Sequence, residues 1–302
     1  MHWHWFEIFT YNWLQICGEI LDVPTENVDA FRENFHQWHA QYALEDIFNA
    51  DESALYYSAL PNKTLDKSHV NATGRKMSKA RVTLLLCCNA AGEKFPPLII
   101  GKYSNPRCFR GIDRKLLPCP YKSTKNAWMN TNIFREWLCE VNRRMIIQKR
   151  SILLILDNAP SHRFDNSLSN IKVVYLPPNC TSVLQPLDQG IIWSFKCSYR
   201  KALLEYLIDG VDNECHGNML KDYDLFKALH FVRRAWAEVQ VDVIKNCFQK
   251  SGLFNRINDK LPNSPTDADS SDFAKLDDEL FSLELKEIDI DTDEVSHHLS
   301  IQ

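Results

Sequence analysis

Three aspartates occupy comparable places in the sequence. Asp51 lies in a strand pattern beside Glu52, Asp157 directly follows the apolar run SILLIL, and Asp188 stands at the start of a long helical pattern. Carboxylates brought within a few ångströms raise one another's pKa, so a cluster of them is costly unless a cation neutralises it. Hard oxygen ligands suit Mg²⁺ or Mn²⁺, and two such ions can promote in-line displacement at a phosphodiester. If the three side chains converge, we expect a metal-binding catalytic site of the nuclease or strand-transfer kind.

Each aspartate also has an ordinary structural explanation. Asp51 and Asp157 can close turns, because Asp and Asn side chains bond to nearby backbone, and Asp188 can cap its helix. Taken alone, Asp157 followed by Asn158 fits turn formation better than catalysis. The catalytic interpretation therefore depends on the three residues meeting in space.

The neighbours of these acids supply candidates for supporting roles. Glu52 and Asn158 are each adjacent to an aspartate, and His162 lies five residues beyond Asp157. A histidine there can contact a phosphate or a metal-bound water, or it can cap the next element. Ser161 beside His162 does not indicate a serine hydrolase, because the glycine pattern of a nucleophile elbow is absent.

Two basic stretches are candidates for holding a nucleic-acid backbone, since most protein contacts to DNA go to phosphate and sugar. The first lies in the segment GRKMSKAR and consists of Arg75, Lys76, Lys79 and Arg81. The second consists of Arg107, Arg110, Arg114 and Lys115. Solvated surface charge is the alternative explanation for both.

The elements that must position these residues are predicted from hydrophobic periodicity. A strand around Asp51 is followed by a hairpin in RVTLLLCCNAAGEKFPPLIIGK, whose two prolines push its second strand toward a sheet edge. An amphipathic helix then precedes the strands ILLIL and IKVVY, and a long helix follows Asp188. The expected fold class is α/β, a mixed five-stranded sheet flanked by helices, with C-terminal helices and a disordered acidic tail.

Composition narrows the class of protein. The chain has 302 residues, of which 45% are hydrophobic, and no run approaches the roughly 20 apolar residues that span a bilayer. We therefore expect no membrane partner and, with no secretory signal, an intracellular protein. Its ten cysteines form no C-x-x-C pair, which favours reduced thiols.

Charge is distributed unevenly along the chain. Residues 264–302 contain twelve acidic residues against Lys275 and Lys286, a net charge of −10, which leaves +6 on the remainder. A mildly basic body is compatible with a nucleic-acid partner, although many soluble domains carry such a charge without binding DNA.

Several segments together carry a family resemblance. The segments EDIFNADESALYYSALPNKTL, GRKMSKARVTLLLCCNAAGEKFPPLIIGK, SILLILDNAPSH, IKVVYLPPNCTSVLQPLDQGIIWSFK and HFVRRAWAEVQVDVIKNCFQKSGL resemble, in order, the DDE-type transposase domain of the pogo group, which includes Tigger, jerky-like and centromere protein B relatives. The resemblance implies a ribonuclease H-like fold, with Asp51, Asp157 and Asp188 as the catalytic acids that bind two Mg²⁺ or Mn²⁺ ions. It also implies DNA as the partner and the nucleus as the location.

The chain departs from the family pattern in two places. Where relatives have Asp-Glu-Thr-Gly, this chain has Ser53 and Ala54 after the acidic pair. Only a short segment precedes the linker-like ICGEILDVPTENVDAF, so we expect the family's helix-turn-helix modules to be absent. The expected domains are an N-terminal remnant and linker (1–41), a DDE catalytic domain (42–210), a C-terminal helical extension (211–260) and an acidic disordered tail (261–302).

Three functional hypotheses remain open. The leading one is a transposase-derived DDE endonuclease or strand-transfer domain that uses two divalent metals and is not an autonomous transposase. The second is a domesticated, catalytically silent DNA-binding or protein-interaction platform, in which the acidic tail engages a protein partner. The third is a metal-dependent hydrolase of small molecules, which predicts a deep pocket rather than an open basic groove.

Overall fold

The computed structural model describes residues 24–59, 80–163, 168–212 and 223–254. It therefore leaves Arg75, Lys76, Lys79 and the acidic tail outside the described residues. The strands are β1 (Ile47–Leu55), β2 (Val82–Asn89), β3 (Leu98–Gly101), β4 (Tyr121–Ser123), β5 (Ile152–Leu156) and β6 (Ile171–Tyr175). The α-helices are α1 (Thr25–His39), α2 (Thr131–Gln148), α3 (Thr181–Leu184), α4 (Ile191–Asp212), α5 (Leu225–Glu238) and α6 (Val241–Lys250).

The strands form one mixed sheet in the order β4-β3-β2-β1-β5-β6. Strands β1, β2 and β3 pair in antiparallel fashion, whereas β5 is parallel to β1 and β6 is parallel to β5. All five side chains of β5 are buried, as its continuous apolar run predicts for a central strand covered on both faces. The predicted α/β class, with a mixed sheet flanked by helices, is confirmed.

The sheet has one strand more than the five predicted. The extra strand, β4, has only three residues and pairs in parallel with β3, so β3 is not the edge strand that we expected. Pro96 and Pro97 do not prevent this pairing because they precede Leu98, where β3 begins. A three-residue strand with one lysine and one serine carries too little periodicity for detection from sequence.

Apolar clusters cover both faces of the sheet. On one face, α2 contributes Phe134 and Leu138 to a cluster that includes Phe48 and Leu154. On the other face, helices α1, α4, α5 and α6 share a single cluster with alternate residues of the strands, among them Ile155. The C-terminal helices therefore belong to the same core as the sheet.

The described residues contain no disulfide and no membrane-spanning helix. The eight cysteines in the described residues are free thiols, five of them buried. Among the helices described, none combines the length and the hydropathy needed to cross a bilayer.

Candidate catalytic carboxylate site

Strand pairing aligns the first two aspartates. Strands β1 and β5 are parallel, and the last pair in their register joins Asn49 to Ile155. Continuing this register by two residues places Asp51 opposite Asp157, which directly follows β5. Neighbouring strands lie about 4.8 Å apart, and residues at the same level share a face of the sheet. Asp51 lies within a strand, so the alternative that it closes a turn is wrong.

The third aspartate lies in a short 3₁₀ helix, Pro186–Gln189, rather than at the cap of the long helix as predicted. Gly190 separates this 3₁₀ helix from α4 and has a φ of 136°, in the region that favours glycine. Asp188 is therefore held by a separate structural element that precedes α4.

Buried Asn49 holds this 3₁₀ helix against the sheet. Its Oδ1 accepts a hydrogen bond of 2.9 Å from the backbone N–H of Leu187. Its Nδ2 donates to the carbonyl of Ile155 at 3.1 Å and to Oε1 of Gln185 at 3.0 Å. One side chain thus connects the three segments that carry Asp51, Asp157 and Asp188.

The environment of Asp51 shows that the acids lie near one another. Burial raises the pKa of Asp51 well above its ordinary value. The charges of Asp188, Glu52 and Asp157 raise the pKa of Asp51 further. The Gln185 side chain lowers it, but less than these effects raise it. Asp51 therefore favours either a proton or a neighbouring cation.

His162 lies between two of the carboxylates. Its ring is buried against Phe134, with the ring centroids 4.4 Å apart. Nε2 lies 2.9 Å from Oε1 of Glu52, and Nδ1 contacts Oδ1 of Asp157. Burial lowers the pKa of His162, but the hydrogen bonds and charges of Asp157 and Glu52 outweigh it and raise that pKa to about 10. His162 is thus an imidazolium at neutral pH.

The pKa of Asp157 is shifted in the opposite direction, to below its ordinary value. Burial raises its pKa, yet the hydrogen bond and charge of His162 and the backbone N–H of Ala159 lower it overall. Both contacts use Oδ1. Asp157 is therefore ionised at neutral pH and has a fixed orientation.

The other predicted residues that the structure describes, Asn158 and Arg81, take no part in the contacts among the carboxylates. Asn158 is exposed, and in the described part of the chain its side chain makes no hydrogen bond to the three aspartates. Arg81 immediately precedes β2. Its guanidinium donates to the carbonyl of Asn126 at 3.3 Å and lies 5.7 Å from the ring centroid of Trp128.

Three residues near the acids were not predicted from the sequence. Asn49 precedes Asp51 by two residues and so shares its strand face, a spacing that could have identified it. Gln185 is fully buried, its Oε1 accepts a hydrogen bond from Asn49, and its side chain lowers the pKa of Asp51. For Lys196 of α4, burial and the charge of Arg200 lower the pKa, whereas the charges of the acids raise it.

The carboxylates offer the oxygen ligands that a hard cation prefers. Among the described residues, however, their side chains are not yet spaced to hold one ion. Three carboxylates around Asp51 match the ligands that Mg²⁺ and Mn²⁺ prefer. Within the residues described, no group of three or more His, Cys, Asp or Glu side chains is already spaced to hold one ion. Ion binding would therefore require a change in the side chains, for example at Asp157, whose Oδ1 contacts His162.

Comparison with known proteins agrees with the predicted family. Residues 79–248 match the family described as DDE superfamily endonuclease. CENP-B homolog protein 2 of Schizosaccharomyces pombe is 34% identical over 256 residues, which cover 80% of this chain and 48% of the relative. Tigger transposable element-derived protein 4 of Mus musculus is 30% identical over 234 residues, covering 77% of this chain and 43% of the relative.

A solved structure with a similar arrangement is the catalytic domain of Mos1 mariner transposase. Its TM-score is 0.35 at 15% identity, with 78% of this chain and 98% of that chain covered. The chain spans less than half the length of either curated relative described above. Because the family match covers more than half of its residues, the chain belongs to the DDE superfamily endonucleases, in the pogo group of transposase-derived proteins.

Proposed function

We propose that this chain binds DNA and that Asp51, Asp157 and Asp188 hold two divalent cations, Mg²⁺ or Mn²⁺, for phosphodiester cleavage or strand transfer. The observation that carries the proposal is the convergence of the three aspartates: the β1–β5 register aligns Asp51 with Asp157, and Asn49 joins the 3₁₀ helix of Asp188 to β1. The charges of Asp188 and Asp157 accordingly contribute to the raised pKa of Asp51. A cation between these carboxylates would remove the repulsion that raises this pKa. When bound, such ions would activate an attacking oxygen and stabilise the leaving oxygen.

The side chains around the acids have distinct positioning roles in this proposal. Asn49 fixes the 3₁₀ helix of Asp188 against β1, so that the position of Asp188 depends on the sheet. His162 orients Asp157 and Glu52 through its two ring nitrogens. The Lys196 ammonium, whose pKa is affected by the charges of Asp188 and Asp51, would attract the phosphate backbone.

DNA would lie along a basic surface of the chain. The cations Arg107, Arg110, Arg114 and Lys115 are all exposed and are close together in the sequence. We assign the same role to Arg81 and, by its sequence alone, to the stretch Arg75, Lys76 and Lys79. We also propose that the protein resides in the nucleus and that the acidic tail binds a protein partner. We further propose that the chain divides into four parts, with boundaries after residues 41, 210 and 260.

The test of this function is nicking of supercoiled plasmid by the full chain. We expect Mn²⁺-dependent or Mg²⁺-dependent conversion to open circles that EDTA abolishes. Asp188→Ala should remove the activity, whereas Asp242→Asn, an exposed aspartate of α6, should retain it. Nicking that is equal in the Asp188→Ala variant would contradict the proposal.

A catalytically silent DNA-binding platform is the second candidate, and one contact favours it. Protonated His162 already neutralises Asp157 and Glu52, which lessens their need for a metal ion. This candidate predicts plasmid binding without nicking at any concentration of divalent ion. Divalent-dependent nicking that is lost in Asp188→Ala would exclude it.

A further inference from the structure

A concave site lies apart from the carboxylates, at the end of the sheet where β1 ends and β2 begins. The cavity has a volume of about 870 Å³, within the range of about 300–1,000 Å³ typical of ligand sites. None of the three aspartates lines it. The residues that matter for its chemistry are Tyr56, Tyr57, Arg81, Lys102, Tyr103 and Arg107.

Aromatic rings at the cavity are available to a ligand. Tyr56 is 50% exposed and Tyr103 is 64% exposed, so solvent reaches both rings. Tyr121 also lines the cavity, and its hydroxyl donates to the backbone carbonyl of Tyr103 at 2.8 Å. Gly101 makes room for this ring, because a Cβ there would lie 2.0 Å from the Tyr121 hydroxyl. The Tyr121 hydroxyl therefore anchors the backbone that carries the exposed Tyr103 ring.

The charge of the cavity wall is mainly positive. Arg81, Lys102 and Arg107 line it, and the Lys102 ammonium lies 5.7 Å from the ring centroid of Tyr103. The single acidic residue among the described lining is Asp224. Its carboxylate already accepts a hydrogen bond of 3.0 Å from the backbone N–H of Lys227 and caps α5. Exposed aromatic rings bordered by cations are the combination that binds single-stranded nucleic acid.

The cavity is close enough to the three aspartates for one DNA strand to contact both sites. Tyr56 lies five residues beyond Asp51, and a strand rises about 3.3 Å per residue, so the separation is roughly 17 Å. That length corresponds to about five nucleotide steps of 3.4 Å. A strand whose phosphate lies at the aspartates would therefore present a nearby nucleotide to the cavity.

We propose that this cavity binds an unpaired nucleobase of the DNA substrate, stacked on Tyr103 or Tyr56, with the adjoining phosphates held by Arg81, Lys102 and Arg107. The inference rests on the proposed function, because it takes DNA as the substrate. It adds a preference for DNA that is single-stranded or frayed about five nucleotides from the cleaved bond. Stacking explains the ring exposure, since every base offers a π-face to an aromatic side chain.

The experiment compares two DNA probes with the full chain and EDTA present. One is a blunt duplex, and the other is the same duplex with a five-nucleotide overhang that carries 2-aminopurine. We expect the wild-type chain to bind the overhang probe about tenfold more tightly and to quench its fluorescence. Tyr103→Ala combined with Tyr56→Ala should abolish both effects and leave binding of the blunt duplex unchanged.

Matched variants separate stacking from other causes. Tyr103→Phe should retain the preference, because it keeps the ring, and Leu116→Ala, an exposed apolar residue outside the cavity, should also retain it. A preference that persists in the double alanine variant would overturn the inference.

The design distinguishes failure of this inference from failure of the proposed function. A wild-type chain that binds the blunt duplex without preferring the overhang overturns the nucleobase site alone. A chain that binds neither probe overturns both the nucleobase site and the proposed function.

Discussion

The side chain of Asn49 accepts a hydrogen bond of 2.9 Å from the backbone N–H of Leu187, and so joins the strand of Asp51 to the 3₁₀ helix of Asp188. The two residues are 138 positions apart in the sequence. Because the bond is buried, water cannot replace it, and its loss leaves unpaired polar groups. The separation between the first and third aspartates depends on this contact.

Replacing Asn49 should therefore affect both stability and the site. We expect Asn49→Ala to lower the free energy of unfolding by about 2–4 kcal/mol, because several buried polar partners lose their hydrogen bonds. Urea denaturation followed by circular dichroism measures this change. Exposed Asn158→Ala serves as the control and should change stability by less than about 0.5 kcal/mol. Equal stability of the two variants would show that the Asn49 contacts contribute little.

The repulsion at Asp51 predicts a pH dependence in the metal-free protein. Because the folded state raises the pKa of Asp51, it binds the proton more tightly than the unfolded state does. The contribution of Asp51 to stability therefore falls as the pH rises above about 4, near the ordinary carboxyl pKa. Asp51→Asn should remove this contribution and be more stable than wild type at pH 7, with each unit of pKa shift corresponding to about 1.4 kcal/mol.

Thermal unfolding in EDTA between pH 4 and pH 8 measures this effect. The difference between wild type and Asp51→Asn should grow with pH, and saturating Mn²⁺ should reduce it by neutralising Asp51. A difference that is constant across this range would contradict the carboxylate cluster.

The raised pKa of His162 predicts that the stability of the fold also depends on pH in a higher range. Its pKa rises from an ordinary value of 6.5 to about 10 in the folded protein, so the imidazolium stabilises the fold fully below about pH 6.5. This contribution is lost as the pH rises toward 10. We expect His162→Gln to cost about 1–3 kcal/mol at pH 6, because two partly exposed carboxylates lose their cation.

Denaturation at pH 6 and pH 9.5 tests the His162 prediction. The destabilisation caused by His162→Gln should be smaller at the higher pH. His230→Gln, an exposed histidine of α5, should show little destabilisation at either pH. If His162→Gln costs the same at both pH values, its ring acts by packing against Phe134 rather than by charge.

Lys196 should oppose metal binding electrostatically. The charges of Asp188 and Asp51 act on its ammonium, so a cation at the carboxylates would be repelled by it. We expect Lys196→Met to raise Mn²⁺ affinity by about three- to tenfold while weakening DNA binding. Lys201→Met, exposed on the same helix, should leave the Mn²⁺ affinity unchanged. Unaltered affinity in Lys196→Met would place its ammonium too far from the site to matter.

Strand β5 could be predicted from sequence because five consecutive aliphatic residues leave few alternatives to a buried strand. The positions of Asp51 and Asp157 followed, since strand ends and strand faces are local properties. Strand β4 could not be predicted, because its three residues depend on pairing with β3.

The surroundings of Asp188 were harder to predict for a related reason. Its 3₁₀ helix ends at Gln189 and Gly190 separates it from α4, and its position depends on contacts with a strand far away in the sequence. Gln185 and Lys196 carry no local signal of their proximity to Asp51. Their proximity arises from tertiary packing, which short-range periodicity does not encode.

Calorimetric titration of Mn²⁺ into the full chain at neutral pH tests the central claim most directly. We predict that wild type and Asp242→Asn bind two ions per chain, whereas Asp157→Asn loses at least one ion or binds about tenfold more weakly. Equal stoichiometry and affinity in wild type and Asp157→Asn would contradict the assignment of Asp51, Asp157 and Asp188 as a shared metal site.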